Sequence, residues 1–416
     1  MSILKINGGR ELRGRARIQG AKNSVLPILA ASLLADGETV IHNCPKLSDV
    51  EAASKILKHL GCSAKRDGDA VTVNSTGLSR LDIPHGLMRE MRSSVIFLGA
   101  MLARGGEATL SLPGGCELGP RPIDLHLMAL RELGADITEE GGSIICRASR
   151  LRGRRVNLSF PSVGATENTM LAASLADGTT IITNAAREPE IWDLQSYLRT
   201  LGVNVSGAGT PTVTVEGTKI RADVSHSIIP DRIAAATYLA AAAVTKSEVE
   251  LTGVIPKHLA TVTEAIREMG CDVRSGRETL HISSDGRLRA PKPIVTEPHP
   301  GFPTDAQPQI MAAALRARGT TAFVENIFEN RYRHVGELRR LGAEIKIEGR
   351  VAMVTGVEKL TGAPVTATDL RGGAALVIAA LGAEGVTEIS GLHHIDRGYD
   401  GLENTLRSIG ADIERI

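Results

Sequence analysis

A glycine-centred motif recurs six times along the 416-residue chain and limits its possible folds more than any other feature. The motif is a long apolar residue, a glycine and a small residue, and its glycines are Gly61, Gly134, Gly202, Gly270, Gly342 and Gly410. Successive glycines are separated by 73, 68, 68, 72 and 68 residues. Because glycine often ends a helix in the left-handed conformation, each motif predicts a helix stop. The regular spacing predicts six related repeats.

Each repeat is expected to contain two helices of different character. The helix before each glycine is amphipathic, and in the first repeat one face carries Leu47, Val50, Ala53, Leu57 and Leu60. An earlier helix is apolar on all sides, as in residues 234–244, which predicts complete burial. Short β-patterned segments follow both helices. The expected repeat is helix–strand–helix–strand–strand, and the expected fold class is α/β, of the α+β type.

The sixth repeat stops early, at Ile416, after a single strand. Residues 3–20 align with residues 144–160, since both contain Leu-Arg-Gly-Arg and lead into an apolar helix. The N-terminal segment is therefore expected to complete the last repeat. We predict two domains of three repeats each, residues 21–229 and residues 1–20 with 230–416. A chain that crosses twice between domains predicts a double-crossover hinge, and ligands favour the cleft beside such a hinge.

Composition excludes several classes of protein. Lysine and arginine number 48 against 47 aspartates and glutamates, and aromatic residues are only 2%, so a general nucleic-acid binder is not expected. The longest mostly apolar run, residues 25–35, is shorter than a membrane span. The five cysteines form no CxxC pair and the first residues do not resemble a signal peptide. We expect a cytoplasmic protein with no membrane insertion and no obligatory protein partner.

A basic residue lies near the start of the second helix in every repeat: Lys46, Arg121, Arg187, Lys257, Arg331 and Arg397. The helix dipole disfavours a cation there unless an anion is close, and backbone N–H groups with a basic side chain bind phosphate. Lys22, Arg92 and Arg371 add cations near the starts of first helices. This pattern favours phosphate binding. The alternative is descent from one ancestral repeat, with most copies facing solvent.

Cys116 is the most distinctive residue of the chain because it lies inside the glycine-rich segment 113–124. A buried packing role suits most cysteines. It suits Cys116 less well, because Arg121 nearby favours the thiolate and a glycine-rich loop can act as a lid. We therefore favour a reactive thiol over a structural one.

Three acids lie at similar places near the starts of predicted first helices: Asp231, Asp305 and Asp369. Thr304 and Gln307 around Asp305 have the spacing of a capping box, and an acid in the first helical turn is common. From the residues alone, all three are interpreted as helix-start acids.

Ten segments spread over the whole chain resemble those of the bacterial UDP-N-acetylglucosamine enolpyruvyl transferase family. They are residues 20–23, 91–94, 113–126, 162–166, 186–190, 230–232, 302–305, 328–331, 367–371 and 394–399. The resemblance implies two inside-out α/β barrels of three repeats each, in agreement with the repeat count. It also implies transfer of the enolpyruvyl group of phosphoenolpyruvate to the 3′-hydroxyl of UDP-N-acetylglucosamine by addition and elimination, with release of phosphate. That reaction is the first committed step of peptidoglycan synthesis.

The resemblance also implies roles for individual residues. Cys116 would donate a proton to C3 of phosphoenolpyruvate, form a covalent adduct with it and react with fosfomycin, while Asp305 would accept the 3′-hydroxyl proton. Phosphoenolpyruvate would be held by Lys22, Asn23, Arg121, Arg371 and Arg397, of which Lys22 and Arg397 are also catalytic. The nucleotide sugar would be bound by Arg92, Arg121, Pro122, Ile123, Asp124, Leu125, Ser162, Val163, Gly164, Asp305 and Ile327. Some family members carry lysine where this chain has Phe160, so no side-chain contact to the diphosphate is expected from that position.

No cofactor is expected, and the absence of HExxH or similar ligand spacing predicts that no divalent metal is required. Two other functions remain open. The shikimate-pathway enolpyruvyl transferase would share the fold and the donor but lack the Cys116 segment. A non-catalytic paralogue that only binds nucleotide sugar would have lost an acid or base, whereas Lys22, Cys116, Asp305 and Arg397 are all present.

Overall fold

The computed structural model describes residues 2–91, 93–111, 123–220 and 223–416. Its contacts divide the chain into two compact units. We call Gly20–Ile229 the continuous unit, and Met1–Gln19 with Pro230–Ile416 the split unit. Among the described residues, no helix combines the length and the apolar character needed to cross a bilayer.

The α-helices of the continuous unit are α1 (Lys22–Ala31), α2 (Ser48–His59), α3 (His85–Glu90), α4 (Phe97–Gly105), α5 (Asp124–Glu132), α6 (Val163–Ala173) and α7 (Pro189–Thr200). Those of the split unit are α8 (Arg232–Val244), α9 (Ala260–Glu268), α10 (Gln307–Ala314), α11 (Val335–Arg340), α12 (Leu370–Leu381) and α13 (Leu402–Ser408). Short 3-10 helices occur at Ser32–Leu34, Ser94–Ile96, Pro256–Leu259, Thr304–Ala306, Arg331–His334 and Leu392–Arg397.

The strands before and within the continuous unit are β1 (Leu4–Asn7), β2 (Leu12–Arg17), β3 (Glu38–His42), β4 (Ser63–Asp67), β5 (Ala70–Asn74), β6 (Asp82–Ile83), β7 (Glu107–Ser111), β8 (Asp136–Glu140), β9 (Ser143–Arg147), β10 (Arg155–Asn157), β11 (Thr179–Thr183), β12 (Asn204–Ser206), β13 (Thr212–Glu216) and β14 (Val224–Ser227). The remaining strands are β15 (Lys246–Thr252), β16 (Asp272–Ser275), β17 (Thr279–Asp285), β18 (Leu288–Arg289), β19 (Ile294–Val295), β20 (Ala317–Arg318), β21 (Thr320–Val324), β22 (Glu344–Glu348), β23 (Val351–Thr355), β24 (Leu360–Thr361), β25 (Pro364–Thr366), β26 (Ala383–Glu384), β27 (Val386–Ser390) and β28 (Asp412–Arg415).

Every repeat contributes a four-stranded sheet of the same plan. The sheet orders are β14-β3-β5-β4, β6-β7-β9-β8 and β10-β11-β13-β12 in the continuous unit, and β2-β15-β17-β16, β19-β21-β23-β22 and β25-β27-β1-β28 in the split unit. In each sheet the first pair is parallel and the other two are antiparallel, as β2 with β15 and β15 with β17 illustrate. The expectation of an α/β fold built from repeats is confirmed.

The N-terminal strands complete two different sheets of the split unit: β1 joins the sheet of the sixth repeat, as expected, whereas β2 joins that of the fourth. β1 pairs with β27 and with β28, so that Ile6 lies opposite Thr387 on one side and Ile413 on the other. β2 pairs with β15 as the edge strand of another sheet of the split unit. The first twenty residues are therefore held by strand pairing to residues more than two hundred positions later in the sequence.

All six motif glycines end helices as expected. Their φ angles lie between 91° and 106°, a left-handed conformation that residues with a Cβ rarely adopt. At the first stop, the N–H of Cys62 donates to the carbonyl of Leu57 and the N–H of Gly61 to that of Lys58. This pair of hydrogen bonds satisfies carbonyls that the end of the helix leaves without an intrahelical donor.

The apolar first helices form the centre of each unit. Residues 233–244 of α8 and every residue of α10 and α12 are buried. These helices are rich in alanine, which permits close packing, and sheets and amphipathic helices cover them. Their N-terminal ends carry several of the residues considered below.

Candidate active site

Asp305 lies in the 3-10 helix Thr304–Ala306 and is bound by two arginines. The Nη2 atom of Arg331 is 2.6 Å from Oδ1, and the Nη2 atom of Arg371 is 2.9 Å from Oδ2. The Asp305 side chain is 26% exposed, while that of Arg371 is 4% exposed. The carboxylate therefore reaches solvent, although its partners lie mostly inside the protein.

The two arginines decide the charge of Asp305. Burial acts to raise the pKa of its carboxyl, but Arg371 and Arg331 together outweigh burial and hold the pKa well below its usual range. Burial likewise acts to lower the pKa of Arg371, and Asp305 more than offsets it. Asp305 is therefore an anion at any pH near neutrality.

The expected capping box around Asp305 is wrong. The Thr304 hydroxyl donates to the Glu325 carboxylate at 3.0 Å and accepts from Nε of Arg331 at 3.1 Å, so it does not cap the helix. Glu325 is buried, and its Oε1 also accepts from the N–H groups of Ile327 and Phe328. Glu325 therefore fixes the backbone at Ile327 and orients the side chain of Thr304.

The other two helix-start acids behave as the sequence predicted. Asp231 precedes α8, and its Oδ1 accepts from the N–H groups of Ile233 and Ala234 at 2.8 and 2.9 Å. Asp369 precedes α12 and accepts from the N–H groups of Arg371 and Gly372. Both are helix N-caps.

Lys22 is the first residue of α1 and is buried against a carboxylate. Its Nζ atom is 2.8 Å from Oδ2 of Asp49, whose side chain is 1% exposed. Asn23 follows and is half-buried. The next residue, Ser24, donates its hydroxyl to Asp193, which also accepts from Nε2 of His226 at 2.9 Å. The start of α1 is thus tied to two buried acids.

Most described residues of the expected nucleotide-sugar pocket lie at the starts of α5 and α6. Ser162 caps α6 by accepting from the N–H of Ala165, and Val163 and Gly164 form its first turn. Asp124 begins α5 with an exposed side chain, whereas Ile123, Leu125 and Ile327 are half-buried. Phe160, two residues before the cap, is 42% exposed.

The basic residues of the repeats have diverged. Arg331 binds Asp305 and Thr304, and its guanidinium lies 4.8 Å from the centre of the Phe328 ring. Arg397 ends the 3-10 helix Leu392–Arg397 and is half-buried. Lys46 and Lys257 are exposed. The repeated position thus holds the half-buried Arg331 against Asp305 in the fifth repeat and an exposed side chain at Lys46 and Lys257.

Four expected site residues lie outside the described residues: Arg92, Cys116, Arg121 and Pro122. The other cysteines, Cys44, Cys62, Cys146 and Cys271, are all buried. Burial raises the pKa of the Cys62 and Cys146 thiols to about 11, which keeps them protonated and weakly nucleophilic. Their expected packing role is confirmed. In the described part of the chain, no group of three or more His, Cys, Asp or Glu residues is arranged to hold a metal ion.

Sequence reasoning missed the acids that hold the basic residues. Asp49 looks like an ordinary first-turn acid of α2, and Glu325 follows a strand without any motif. In the sequence, Arg331 stands out only as one of six repeated cations. Buried acids such as Asp193 and Glu325 are rare and usually paired, so their burial would have marked them as important. Burial, however, is decided by the tertiary structure and cannot be recognised in the sequence.

Comparison with known proteins places this architecture among the enolpyruvyl transferases. Residues 6–406 match the family of EPSP synthase (3-phosphoshikimate 1-carboxyvinyltransferase). The crystal structure of the enolpyruvyl transferase NikO from Streptomyces tendae is similar with a TM-score of 0.89 and 27% identity, covering 100% of this chain and 98% of that one. The EPSP synthase of Acinetobacter baumannii shares the fold at a TM-score of 0.76 and 20% identity, with 100% of both chains covered.

Sequence relatives narrow the assignment. A protein of Caldanaerobacter subterraneus subsp. tengcongensis named UDP-N-acetylglucosamine 1-carboxyvinyltransferase 2 is 51% identical over 416 residues, which is 100% of both chains. A protein of Carboxydothermus hydrogenoformans named UDP-N-acetylglucosamine 1-carboxyvinyltransferase 1 is 48% identical, covering 99% of this chain and 97% of that one. The chain belongs to this family of UDP-N-acetylglucosamine 1-carboxyvinyltransferases, and the resemblance seen in its motifs is confirmed.

Proposed function

We propose that this protein transfers the enolpyruvyl group of phosphoenolpyruvate to the 3′-hydroxyl of UDP-N-acetylglucosamine and releases phosphate. The observation that carries the proposal is full-length identity of about half to relatives named for that activity. The motif residues Lys22, Asn23, Cys116, Asp305 and Arg397 are all present. A binding-only paralogue would have no need of this complete set of acid, base and cations.

The reaction needs positive charge around phosphoenolpyruvate and a group that can take the proton of the attacking hydroxyl. Lys22, Asn23, Arg121, Arg371 and Arg397 would hold the anionic donor. The buried Asp49 would keep the Lys22 ammonium fixed, so that it need not reorganise when the donor arrives. Cys116 would deliver the proton to C3 and form the covalent adduct.

Asp305 would receive the hydroxyl proton, but the two arginines bound to it lower its basicity. A carboxylate whose pKa is held low by two arginines is a weak base. It can orient the 3′-hydroxyl as a hydrogen-bond acceptor while both ion pairs persist. Proton acceptance requires at least one ion pair, to Arg331 or to Arg371, to lengthen once substrates are bound.

The nucleotide sugar would contact Arg92, the 121–125 segment, Ser162 to Gly164, Asp305 and Ile327. The α6 N-terminus offers backbone N–H groups, and a diphosphate suits such a position. Because Phe160 has no charge, the side chain there would add nothing to diphosphate affinity. We also propose a cytoplasmic location, supported by the buried thiols and the chemistry of the nucleotide-sugar substrate.

Phosphate release is the decisive experiment. The enzyme is given phosphoenolpyruvate with UDP-N-acetylglucosamine in one reaction and with shikimate 3-phosphate in another. Turnover with the nucleotide sugar alone is expected. Turnover only with shikimate 3-phosphate would overturn the proposed function, and turnover with neither would favour a binding role.

The role of Cys116 has a separate test. Fosfomycin should add to Cys116 only, and Cys116→Asp should keep a proton donor while losing the nucleophilic sulfur. Mass spectrometry of the treated protein is expected to show one adduct, on the peptide that contains residue 116. Adducts spread over several cysteines, or inactivation of Cys116→Asp, would contradict the role.

A further inference from the structure

Asn168, in the middle of α6, links three segments through a fully buried carboxamide. Its Oδ1 accepts from the N–H of Gly99 on α4 at 2.8 Å. Its Nδ2 donates to the carbonyl of Val95 at 2.8 Å and is 2.7 Å from Nδ1 of His126 on α5. A Cβ at residue 99 would lie 2.3 Å from the Asn168 carbonyl, so glycine is required for α4 and α6 to approach this closely.

This network fixes the chemical form of His126. The Gly99 N–H can only donate, so the oxygen of the Asn168 amide must face it and the nitrogen must face Val95 and His126. The amide nitrogen carries two hydrogens, one for the Val95 carbonyl and one for Nδ1 of His126. Nδ1 must then be an acceptor, and the ring is the neutral tautomer with its proton on Nε2.

The ring of His126 also lies against the first turn of α6. A Cβ added to Gly164 would be 2.9 Å from Cε1 and 3.1 Å from Nε2 of the ring. Any residue larger than glycine would therefore displace the imidazole. His126 directly follows Asp124 and Leu125, while Gly164 follows Ser162 and Val163. The ring thus bridges the two segments proposed to bind the nucleotide sugar.

We propose that His126 is a positioning residue for nucleotide-sugar binding, and that Asn168 locks it in the Nε2–H tautomer. This inference rests on the proposed function, because it concerns the same pocket. The link holds the start of α5 at a fixed distance from the first turn of α6. Misplacement of either segment weakens binding of the nucleotide sugar more than that of phosphoenolpyruvate, because Arg121 is the single proposed phosphoenolpyruvate residue in these segments and the others lie elsewhere.

Four variants separate this role from simple packing. Asn168→Asp has the same shape but presents an oxygen to Nδ1, so it favours a proton there. His126→Gln places its amide near the Nε2 position and cannot accept from Asn168. His126→Asn places a carbonyl oxygen near the Nδ1 position and can still accept. Ser174→Ala is the control, because Ser174 is buried at the other end of α6 and its hydroxyl donates to the carbonyl of Met170, within its own segment.

The kinetic result expected is a split between the two substrates. In Asn168→Asp and His126→Gln, KM for UDP-N-acetylglucosamine should rise about tenfold, while KM for phosphoenolpyruvate changes less than about twofold. His126→Asn should stay within about threefold of the wild type, and Ser174→Ala should match it. Equal changes in the two KM values would overturn the positioning role. So would unchanged KM values with a kcat that falls only by the fraction of unfolded protein.

A spectroscopic test does not depend on turnover. The eleven histidines are labelled with nitrogen-15, and the His126 signals are assigned as those missing from the His126→Gln variant. In the wild type, this ring should carry a proton on Nε2 and none on Nδ1. In Asn168→Asp the same ring should carry a proton on Nδ1. An Nδ1 proton in the wild type would overturn the lock. Failure of the wild type to use UDP-N-acetylglucosamine would count against the proposed function instead.

Discussion

Asp231, Asp305 and Asp369 occupy corresponding places in the fourth, fifth and sixth repeats, yet the structure uses them in two ways. Asp231 and Asp369 cap α8 and α12 by accepting from backbone N–H groups. Asp305 instead lies in a 3-10 helix before α10 and binds two arginine side chains. A capping acid uses its oxygens on its own helix, whereas Asp305 is held by groups from elsewhere in the split unit.

The difference arises from the extra 3-10 turn and from the neighbouring repeats. Thr304 bonds Glu325 rather than the helix, and Asp305 lies inside the 3-10 turn rather than at a capping position. Arg331 comes from the same repeat and Arg371 from the next one. Three repeats therefore carry an acid near the start of the first helix, and in one of them the neighbouring residues bind that acid in ion pairs instead of leaving it to cap the helix. The lesson is that residues at corresponding sequence positions of different repeats need share neither the backbone position nor the environment.

The largest effect is expected from removing an arginine partner of Asp305. Arg371→Met should lower the free energy of unfolding at pH 7 by about 3–5 kcal/mol, because it leaves a partly buried carboxylate with one guanidinium. Since the folded pKa of Asp305 is depressed, its contribution is present above the pKa of the unfolded carboxyl and is lost only as pH falls through the lower folded value. The deficit of the variant should thus shrink below about pH 4, where its Asp305 protonates. Denaturant unfolding at several pH values measures this, and a deficit independent of pH would contradict it.

Next in size is the catalytic contrast between the two kinds of acid. Asp305→Asn should lower kcat about 100-fold or more, because it removes the proposed proton acceptor. Asp369→Asn is the matched control, since asparagine caps helices as well as aspartate does. Its kcat should remain within about threefold of the wild type. Steady-state phosphate release measures kcat for both variants. A similar loss of kcat in Asp369→Asn and Asp305→Asn would contradict a specific catalytic role for Asp305.

Glu167 extends the comparison to a buried acid in the continuous unit that neither caps a helix nor forms a described ion pair. Burial, with Glu190 and Glu188 nearby, raises its pKa well above the usual value. The native state then binds the proton more tightly than the unfolded state, so stability falls as pH rises above about 4.3.

Glu167→Gln removes this titration and should therefore stabilise the protein at neutral pH. We expect Tm to rise by about 3 °C at pH 7.5, with no gain near pH 4. Thermal unfolding of both proteins over this pH range is the measurement. A lower Tm for the variant at pH 7.5 would mean that the Glu167 carboxylate is stabilised by its surroundings.

The smallest effect concerns a capping acid. Asp369→Ala should lower the free energy of unfolding by about 1 kcal/mol, because two N–H groups at the start of α12 lose their acceptor. Asp369→Asn should cost only a few tenths of that, which denaturant unfolding can resolve. A loss as large as that of Arg371→Met would show that Asp369 does more than cap its helix.

Local features were predictable from the sequence because local chemistry produces them. The six motif glycines end helices since the left-handed conformation is open to glycine. Residues 234–244 are buried because no polar face interrupts their apolar pattern. Asp231 and Asp369 cap helices because a short acid before an apolar helix bonds the nearest N–H groups. The family, too, was evident from motifs that lie within single short segments.

The tertiary structure alone decided which charges meet. The contacts of Asp305 with Arg371, of Lys22 with Asp49 and of Asn168 with His126 join residues that no sequence periodicity relates. In sequence, the Asp305 position has the features of a helix cap. Its ion pairs with Arg371 of α12 and with Arg331 of the 3-10 helix Arg331–His334 form only in the folded chain. Ion pairs and tautomers depend on distances of a few ångströms between distant segments, whereas helix stops and caps depend on neighbouring residues. That difference in range is why the sequence determined the repeats and caps, and the folded chain determined how each charged side chain is used.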